Sequence, residues 1–333
     1  MPEKNYWGIE TRYATSETTD PKVDEALSEY FDILFSELKI PKSKREKIAP
    51  NPIYIIRRTE TGFSVPEKKF FTPEQRQEFL KLANPRLREG LVERSEAVVD
   101  YILPHFEGIT GSVYDNGAGD KGNAIALKKR FKKMGKDLEI IASDVVRIPG
   151  VDKIAPDIPW IYRPANQKHP YKNGHFQASL NVVNFHHSED PLFELGEIAR
   201  ATDGKVFVVE SPANVARENF PEWFISQEHY PELTPEQQSL FVGQIDIAMN
   251  NLFLGPEVPV PCNMAEYKTW EKAFELFDLK ILHKEFVGYD HPLVREPHIL
   301  YVLNSHASET SPSELIEIKR RLGVLGKETK VMN

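Results

Sequence analysis

The sequence has little of what marks secreted, membrane-spanning or zinc-finger proteins. Cys262 is the only cysteine among 333 residues, which excludes an intramolecular disulfide and a zinc site built on paired thiolates. No uninterrupted apolar stretch approaches the roughly 18 residues that a membrane-spanning helix needs. Met1 to Tyr13 has neither a basic start nor an apolar core. We therefore expect a cytoplasmic protein with no targeting segment and no membrane partner.

An excess of positive charge is also missing. The chain has 42 Lys and Arg residues against 50 Asp and Glu residues, a formal net charge of −8. Such a balance does not favour broad contact with nucleic acid, although a single basic face could still bind nucleic acid locally. Hydrophobic residues make up 40% of the chain and aromatic residues 11%, which is enough to bury a substantial core.

The first hundred or so residues are predicted to be mainly helical. Apolar residues recur at three- and four-residue steps after Asp20-Pro21, a helix start signal. A second helix is predicted from Thr72, with a break at Asn84-Pro85 and a buried side that includes Leu91. Residues 1–108 are therefore assigned to a mainly helical N-terminal extension.

From Gly111 onward, short apolar runs alternate with amphipathic stretches, which is typical of an α/β fold with a largely parallel sheet. The last two predicted strands are joined without room for a helix, so they should pair antiparallel at the end of the sheet. We expect a domain over 109–305 with an insertion at 211–270, followed by a C-terminal helix or tail over 306–333. The seven predicted strands are 112–114, 138–143, 158–162, 177–184, 205–210, 280–287 and 298–303.

The sharpest local signal is a glycine-rich loop between a strand and a helix. Gly117, Gly119 and Gly122 form a Gly-x-Gly-x-x-Gly pattern, which lets the backbone turn sharply and approach a ligand closely. A dinucleotide would press its pyrophosphate onto the helix N-terminus, where Asp115 and Asp120 would repel it. S-adenosylmethionine has no phosphate and carries an ammonium and a sulfonium. The loop therefore favours S-adenosylmethionine, with a nicotinamide-dependent oxidoreductase as the alternative.

A second acid supports a nucleotide-like ligand of either class. Asp144 ends the next predicted strand, 22 residues after Gly122. At about this spacing a carboxylate accepts hydrogen bonds from ribose hydroxyls. Capping of the following segment is the alternative role.

Residues 111–210 resemble the class I S-adenosylmethionine-dependent methyltransferase family. The pattern Asp115-x-Gly117-x-Gly119 resembles its cofactor loop, Asp144 matches its ribose-binding acid, and 181–191 looks like the fourth strand and the element that follows it. The resemblance implies a Rossmann-like, mostly parallel seven-stranded sheet with an antiparallel last strand, and S-adenosyl-L-methionine as the cofactor. The cofactor-binding residues that it implies are Asp115, Asn116, Gly117, Ala118, Gly119, Asp144, Val145, Asn166 and Asn184.

Two positions depart from the family pattern. Gln177 stands where members usually have an aspartate, and Ala165-Asn166 stand where an acid often meets the adenine amine. The amide oxygen of Asn166 could still accept a hydrogen bond from that amine. These departures keep open a second hypothesis, a catalytically inactive methyltransferase-like binding or scaffold protein.

Methyl transfer from a sulfonium is a direct displacement, so the protein must align the nucleophile and, where needed, remove a proton. The candidate catalytic residues are His186, His187 and Glu210, because they follow predicted strands at the edge where such sheets carry ligands. Packing or capping roles remain the alternatives for all three. The methyl acceptor is unidentified; a small molecule is favoured, and RNA or protein is left open. Together with His169 and His175, the histidines lack a regular helical His-x-x-x-His spacing, so no metal is predicted.

Overall fold

Among the residues that the computed structural model describes, three α-helices and a hairpin precede the main sheet. They are α1 (Pro21–Glu37), α2 (Lys42–Arg45), the antiparallel strands β1 (Arg57–Thr59) and β2 (Gly62–Ser64), and α3 (Pro73–Ile102). The structure describes residues 20–45, 47–48, 57–59, 62–64, 71–215, 229–253, 264–288 and 297–323.

Local sequence explains where the two long helices begin. The Asp20 side chain caps α1 by accepting from the backbone N–H groups of Lys22 and Val23. Thr72 and Gln75 form a reciprocal capping box at the start of α3, which satisfies two N–H donors that a helix start otherwise leaves unpaired. Both predicted starts are confirmed.

The predicted break in the second helix is wrong. Helix α3 runs through Pro85 without ending, although proline removes one donor from the helical hydrogen-bond ladder. The helix is fixed by packing at both ends, since Phe79 and Val98 are fully or almost fully buried on either side of Pro85. Leu91, predicted to be buried, is 40% exposed because it lies between these two packed regions.

Seven strands form the main sheet, and each corresponds to one predicted strand. Their order across the sheet is β5-β4-β3-β6-β7-β9-β8. Neighbours are parallel except β9, which runs antiparallel to both β7 and β8. The predicted fold class is thereby confirmed. The strands are β3 (Val113–Asn116), β4 (Ile140–Asp144), β5 (Trp160–Tyr162), β6 (Phe176–Val182), β7 (Thr202–Glu210), β8 (Lys280–Gly288) and β9 (His298–His306).

Helices cover both faces of this sheet. The second half of α3 and helix α4 pack on one face through a core that includes Val99, Leu127 and Phe131. Helices α5, α7 and α8 lie on the other face, where Trp270 and Phe274 are almost fully buried. The bounds of these helices are α4 (Gly122–Lys133), α5 (Pro191–Ala201), α6 (Pro235–Phe253), α7 (Tyr267–Leu276) and α8 (Pro312–Arg321).

A separate hydrophobic core joins the N-terminal helices to the segment that follows β7. Tyr30 of α1, Phe79 of α3, and Phe241 and Ile245 of α6 are all buried in it. Burying one such large side chain contributes about 1.5–3 kcal/mol of transfer free energy. We call α1, the first half of α3 and α6 the cap. None of the helices described by the structure is long and apolar enough to cross a membrane.

Candidate functional site

The backbone N–H groups of the glycine-rich loop form hydrogen bonds within the protein. The loop turns immediately after β3, with positive φ angles of 71° at Gly117 and 53° at Gly119. Four N–H groups of the loop donate within the protein: Ala118 to Ser143 O at 2.9 Å, Gly119 to Asp144 Oδ2 at 2.8 Å, Lys121 to Ala118 O at 2.8 Å, and Gly122 to Asp120 Oδ1 at 3.1 Å. A pyrophosphate at this helix N-terminus would need such donors. The loop is therefore poorly suited to a phosphate-bearing ligand.

Gly117 brings the loop into direct contact with the end of β6. A Cβ atom at this position would lie 2.6 Å from Cβ and from Nδ2 of Asn184. The Asn184 amide donates to Asn116 O at 2.6 Å, so the side chain that occupies this space also ties the loop to the sheet. Only glycine fits here without moving one of the two segments.

Replacing Gly117 with Ala is expected to destabilise the protein by about 2 kcal/mol or more, because a left-handed alanine costs about 1–2 kcal/mol and the clash with Asn184 adds to it. Gly119→Ala is the matched control, since its φ is also positive but a Cβ there would meet nothing within 4 Å. Urea unfolding of both variants measures the difference. Equal losses of stability would show that the contact with Asn184 is unimportant.

Asp115 places a buried carboxylate beneath the loop. Its side chain is 1% exposed, and its Oδ2 atom has no hydrogen-bond partner among the residues that the structure describes. Burial raises the pKa of Asp115 to about 7, opposed by the backbone N–H of Ala124 and assisted by the negative charges of Asp144 and Asp120. A carboxylate in this setting is stabilised by a cation and destabilised by further negative charge.

Asp144 ends β4 next to the loop. Its two carboxylate oxygens accept from the N–H groups of Gly119 and Val146, each at 2.8 Å. Burial raises its pKa, and these backbone hydrogen bonds oppose the shift. Each oxygen keeps a second lone pair for a further donor. The side chain of Val145 is 40% exposed beside this carboxylate, so an apolar surface lies next to the acid.

The remaining predicted cofactor residues have different surroundings. Asn116 is buried, and its side chain donates to Asn181 Oδ1 at 3.2 Å below the loop. The Oδ1 atom of Asn184 is a buried acceptor that forms no hydrogen bond with the described part of the chain. Asn166 is exposed and donates to Glu189 Oε2 at 2.8 Å. The sheet thus brings the loop, Asp144 and Asn184 together, while Asn166 lies farther out.

The three candidate catalytic residues lie together where β6 and β7 end. Glu210 Oε1 accepts from the N–H groups of Asn184 and Phe185 at 3.0 and 2.8 Å, and Glu210 Oε2 lies 2.7 Å from His186 Nδ1. His186 and Glu210 are buried, whereas the side chain of His187 is 30% exposed. The rings of the two histidines are 4.1 Å apart. Of the three, His187 alone has appreciable exposed surface.

Helix α6 of the cap adds a residue that was not predicted. Asp246 Oδ1 lies 3.6 Å from Nε2 of His186 and 3.6 Å from Nε2 of His187. Asp246 is 3% exposed, and Asn250 donates to its Oδ1 at 2.8 Å. One signal could have revealed it, because Asp246 is the only charged residue between Ser239 and Phe253.

The two histidines of this cluster have opposite pKa shifts. Burial by itself would lower the pKa of His186, but the carboxylates of Glu210 and Asp246 outweigh it and raise that pKa well above its usual value. Enclosure lowers the pKa of His187 to about 4, and the charge of Asp246 only partly opposes this. The surroundings therefore favour the charged imidazole at His186 and the neutral imidazole at His187.

The other residues singled out from the sequence lie outside this cluster. His169 is buried with its Nε2 atom 3.4 Å from Glu194 Oε1, and His175 stacks on Tyr171. Gln177 is the second residue of β6, at the opposite end of the strand from the candidate site, where its Oε1 accepts from the N–H groups of Thr110 and Gly111. The glutamine at this position therefore holds a turn that lies away from the candidate catalytic residues.

The strand order decides the fold. In chain order, the sheet begins at the central strand β3, extends through β4 and β5 to one edge, and then extends through β6 and β7 toward the other edge. The last strand, β9, lies between β7 and β8 and runs antiparallel to both. The chain has the fold of class I S-adenosylmethionine-dependent methyltransferases. No protein-family model matches the chain, and no curated protein matches it either.

Solved structures with the methyltransferase fold resemble the chain at low identity. A chain of the complex between the Haloferax volcanii Trm112 methyltransferase activator and its candidate methyltransferase is 14% identical, with a TM-score of 0.43 over 68% of this chain and 97% of that one. The 1,6-didemethyltoxoflavin-N1-methyltransferase of Burkholderia thailandensis is 11% identical, with a TM-score of 0.43 over 76% and 95%. A Thermotoga maritima S-adenosylmethionine-dependent methyltransferase is 15% identical, with a TM-score of 0.43 over 69% and 99%.

Proposed function

We propose that the chain is an S-adenosylmethionine-dependent methyltransferase. The observation that carries this proposal is the chemistry of the glycine-rich loop, which uses four backbone donors internally and lies against acidic side chains. Asp115 Oδ2 and Asn184 Oδ1 are buried acceptors that form no hydrogen bond with the described residues. A cationic ligand suits such acceptors, whereas a pyrophosphate does not.

Most of the predicted cofactor residues have a role within this proposal. Asp144 accepts from the ribose hydroxyls with the lone pairs that its backbone bonds leave free, and Val145 contacts the adenine. Asn166 offers its amide oxygen to the adenine amine. The loop and Asn184 hold the amino-acid end of the cofactor, and the negative charge of Asp115 attracts its positive charge. When bound, the cofactor supplies a methyl group on a sulfonium, which is transferred by direct displacement.

We place the methyl acceptor at the cluster of His186, His187, Glu210 and Asp246. The partial exposure of His187 marks the side from which an acceptor approaches. His186 and Glu210 are buried, so we assign them positioning roles through their mutual hydrogen bond. The cap contributes Asp246 to this cluster, and a partly covered site of this kind favours a small-molecule acceptor over RNA.

Calorimetric titration tests the cofactor. Wild-type protein is expected to bind S-adenosylmethionine and S-adenosylhomocysteine with micromolar affinity, and Asp144→Ala is expected to lose more than about 100-fold, since bonds to a charged group contribute about 1.5–3 kcal/mol each. Glu107→Ala, which removes an exposed acid, is the matched control. Tight binding of NADH with no response to S-adenosylmethionine would contradict the proposal.

An acceptor screen then separates the enzyme from a binding or scaffold protein of the same fold. Methyl transfer that is lost in Glu210→Gln, while cofactor affinity persists, is the result expected of an enzyme. A chain that binds the cofactor and methylates no acceptor in the screen would support the scaffold hypothesis.

A further inference from the structure

We propose that His186, His187 and Asp246 bind a divalent transition-metal ion of the zinc type. One ring nitrogen of each histidine and a carboxylate oxygen of Asp246 all lie within 4.8 Å of one another. Two imidazoles and one carboxylate form a recognised ligand set for catalytic zinc and for other divalent ions of the same row.

The spacing of the donor atoms fits one ion. The Nε2 atom of each histidine is 3.6 Å from Asp246 Oδ1. Tetrahedral zinc with ligands at about 2.0–2.1 Å requires neighbouring donor atoms about 3.3 Å apart. Each histidine–aspartate separation therefore exceeds this value by only about 0.3 Å, and a fourth position is left for an outside ligand.

His186 is oriented as a metal-ligating histidine is. Its Nδ1 atom lies 2.7 Å from Glu210 Oε2, the arrangement in which a carboxylate fixes the tautomer and turns the other nitrogen toward the metal. That other nitrogen, Nε2, is buried and has no hydrogen-bond partner within 3.5 Å in the part of the chain that the structure describes. It points toward Asp246 and therefore into the proposed site.

Charge and access agree with this interpretation. Asp246 and Glu210 are buried carboxyl groups near the two ring nitrogens of His186, and a divalent cation would add positive charge to this acidic cluster. Asp246 is held by a hydrogen bond from Asn250, one turn further along α6. The 30% exposure of the His187 side chain provides a path by which the ion enters.

Metal binding is tested on the full chain without cofactor, so its outcome is separate from that of the methyltransferase proposal. Protein stripped with a chelator is dialysed against Zn²⁺ alone, and bound metal is counted by elemental analysis. We expect one Zn²⁺ per chain. We also expect a higher Tm with Zn²⁺, because the ion would connect the cap to the edge of the sheet.

Three variants locate the ion. His187→Ala should weaken Zn²⁺ binding at least 100-fold. Because His187 is the most exposed of the three ligands, its removal should disturb folding least. Asp246→Asn should weaken binding to the same extent while keeping the shape of the side chain. Glu210→Gln keeps all three ligands but presents an amide N–H to His186, which should favour a proton on Nε2 and weaken binding 10- to 100-fold.

His283→Ala is the matched control for adventitious binding. His283 lies near the surface with its ring 4.4 Å from that of His105, so it could hold metal loosely, and its removal should leave the stoichiometric ion in place. Folded wild-type protein that retains no Zn²⁺ would overturn the proposal. Binding that survives His187→Ala and disappears in His283→Ala would overturn it as well.

Discussion

Replacing Asp115 with Asn is expected to stabilise the folded protein at pH 8 by up to about 4 kcal/mol, the free energy that corresponds to a pKa raised by about three units. Burial raises the pKa of this carboxyl from 3.8 to about 7, so the folded state resists its ionisation while the unfolded state does not. The stability associated with the protonated group is complete below pH 3.8 and is lost as the pH rises to 7. Asn keeps the acceptor for the Ala124 N–H and has no charge to lose.

Urea unfolding at pH 4 and at pH 8 measures this effect. The variant and the wild type should have similar free energies of unfolding at pH 4 and differ most at pH 8. Asp120→Asn is the matched control, because Asp120 lies in the same loop but is exposed and accepts from the nearby Gly122 N–H. A stability difference that does not change with pH would contradict the buried-charge explanation.

The same substitution should weaken the binding of a cationic cofactor. A nearby cation favours the ionised form of Asp115, so wild-type affinity for S-adenosylmethionine should rise between pH 5.5 and 7. The affinity of Asp115→Asn should be lower at pH 7 and nearly independent of pH over this range. Calorimetric titration at several pH values measures both. A steep pH dependence that remains in the variant would assign the effect to another group.

The sheet was predictable because each of its strands is a short apolar run bounded by turn residues. The loop and Asp144 were also predictable, since a strand, a glycine pattern and an acid at a fixed spacing are all local signals. The continuity of α3 through Pro85 was not, because packing of Phe79 and Val98 on two different cores overrides a local break signal.

Asp246 was missed for a different reason. It lies 59 residues after His187 in the chain and reaches the sheet edge only because α6 packs with α1 and α3 in the cap. No spacing rule connects residues that meet through a separate core. Gln177 was singled out from the sequence but lies away from the site. It departs from the family pattern, and the structure places it near the start of β6, at the opposite end of the strand from the candidate catalytic residues.

Replacing Glu210 with Ala is expected to destabilise the protein by about 3–5 kcal/mol, the usual cost of removing one partner of a buried charged pair. Glu210 accepts from the Asn184 and Phe185 N–H groups and pairs with His186. The alanine variant leaves one buried and one part-buried N–H group without this acceptor, and it removes a carboxylate that favours the charged form of His186.

Glu210→Gln separates the two contributions. Its amide oxygen can still accept from both backbone N–H groups, so it should lose clearly less stability than Glu210→Ala. Its amide N–H would face His186 Nδ1, so nitrogen chemical shifts of that ring should report a neutral imidazole with its proton on Nε2. Urea unfolding and ¹⁵N spectra of labelled protein measure these effects.

The matched control is a second histidine–glutamate pair, at the surface. His283 Nε2 lies 3.3 Å from Glu285 Oε2, with the two side chains 36% and 53% exposed. Exposed pairs contribute little because water already solvates both groups, so Glu285→Ala should leave the free energy of unfolding nearly unchanged. Similar losses in Glu210→Ala and Glu285→Ala would contradict a structural role for the buried pair. A large loss confined to Glu210 would show that the end of β7 holds the histidine turn in place, as both the acceptor site and the proposed metal site require.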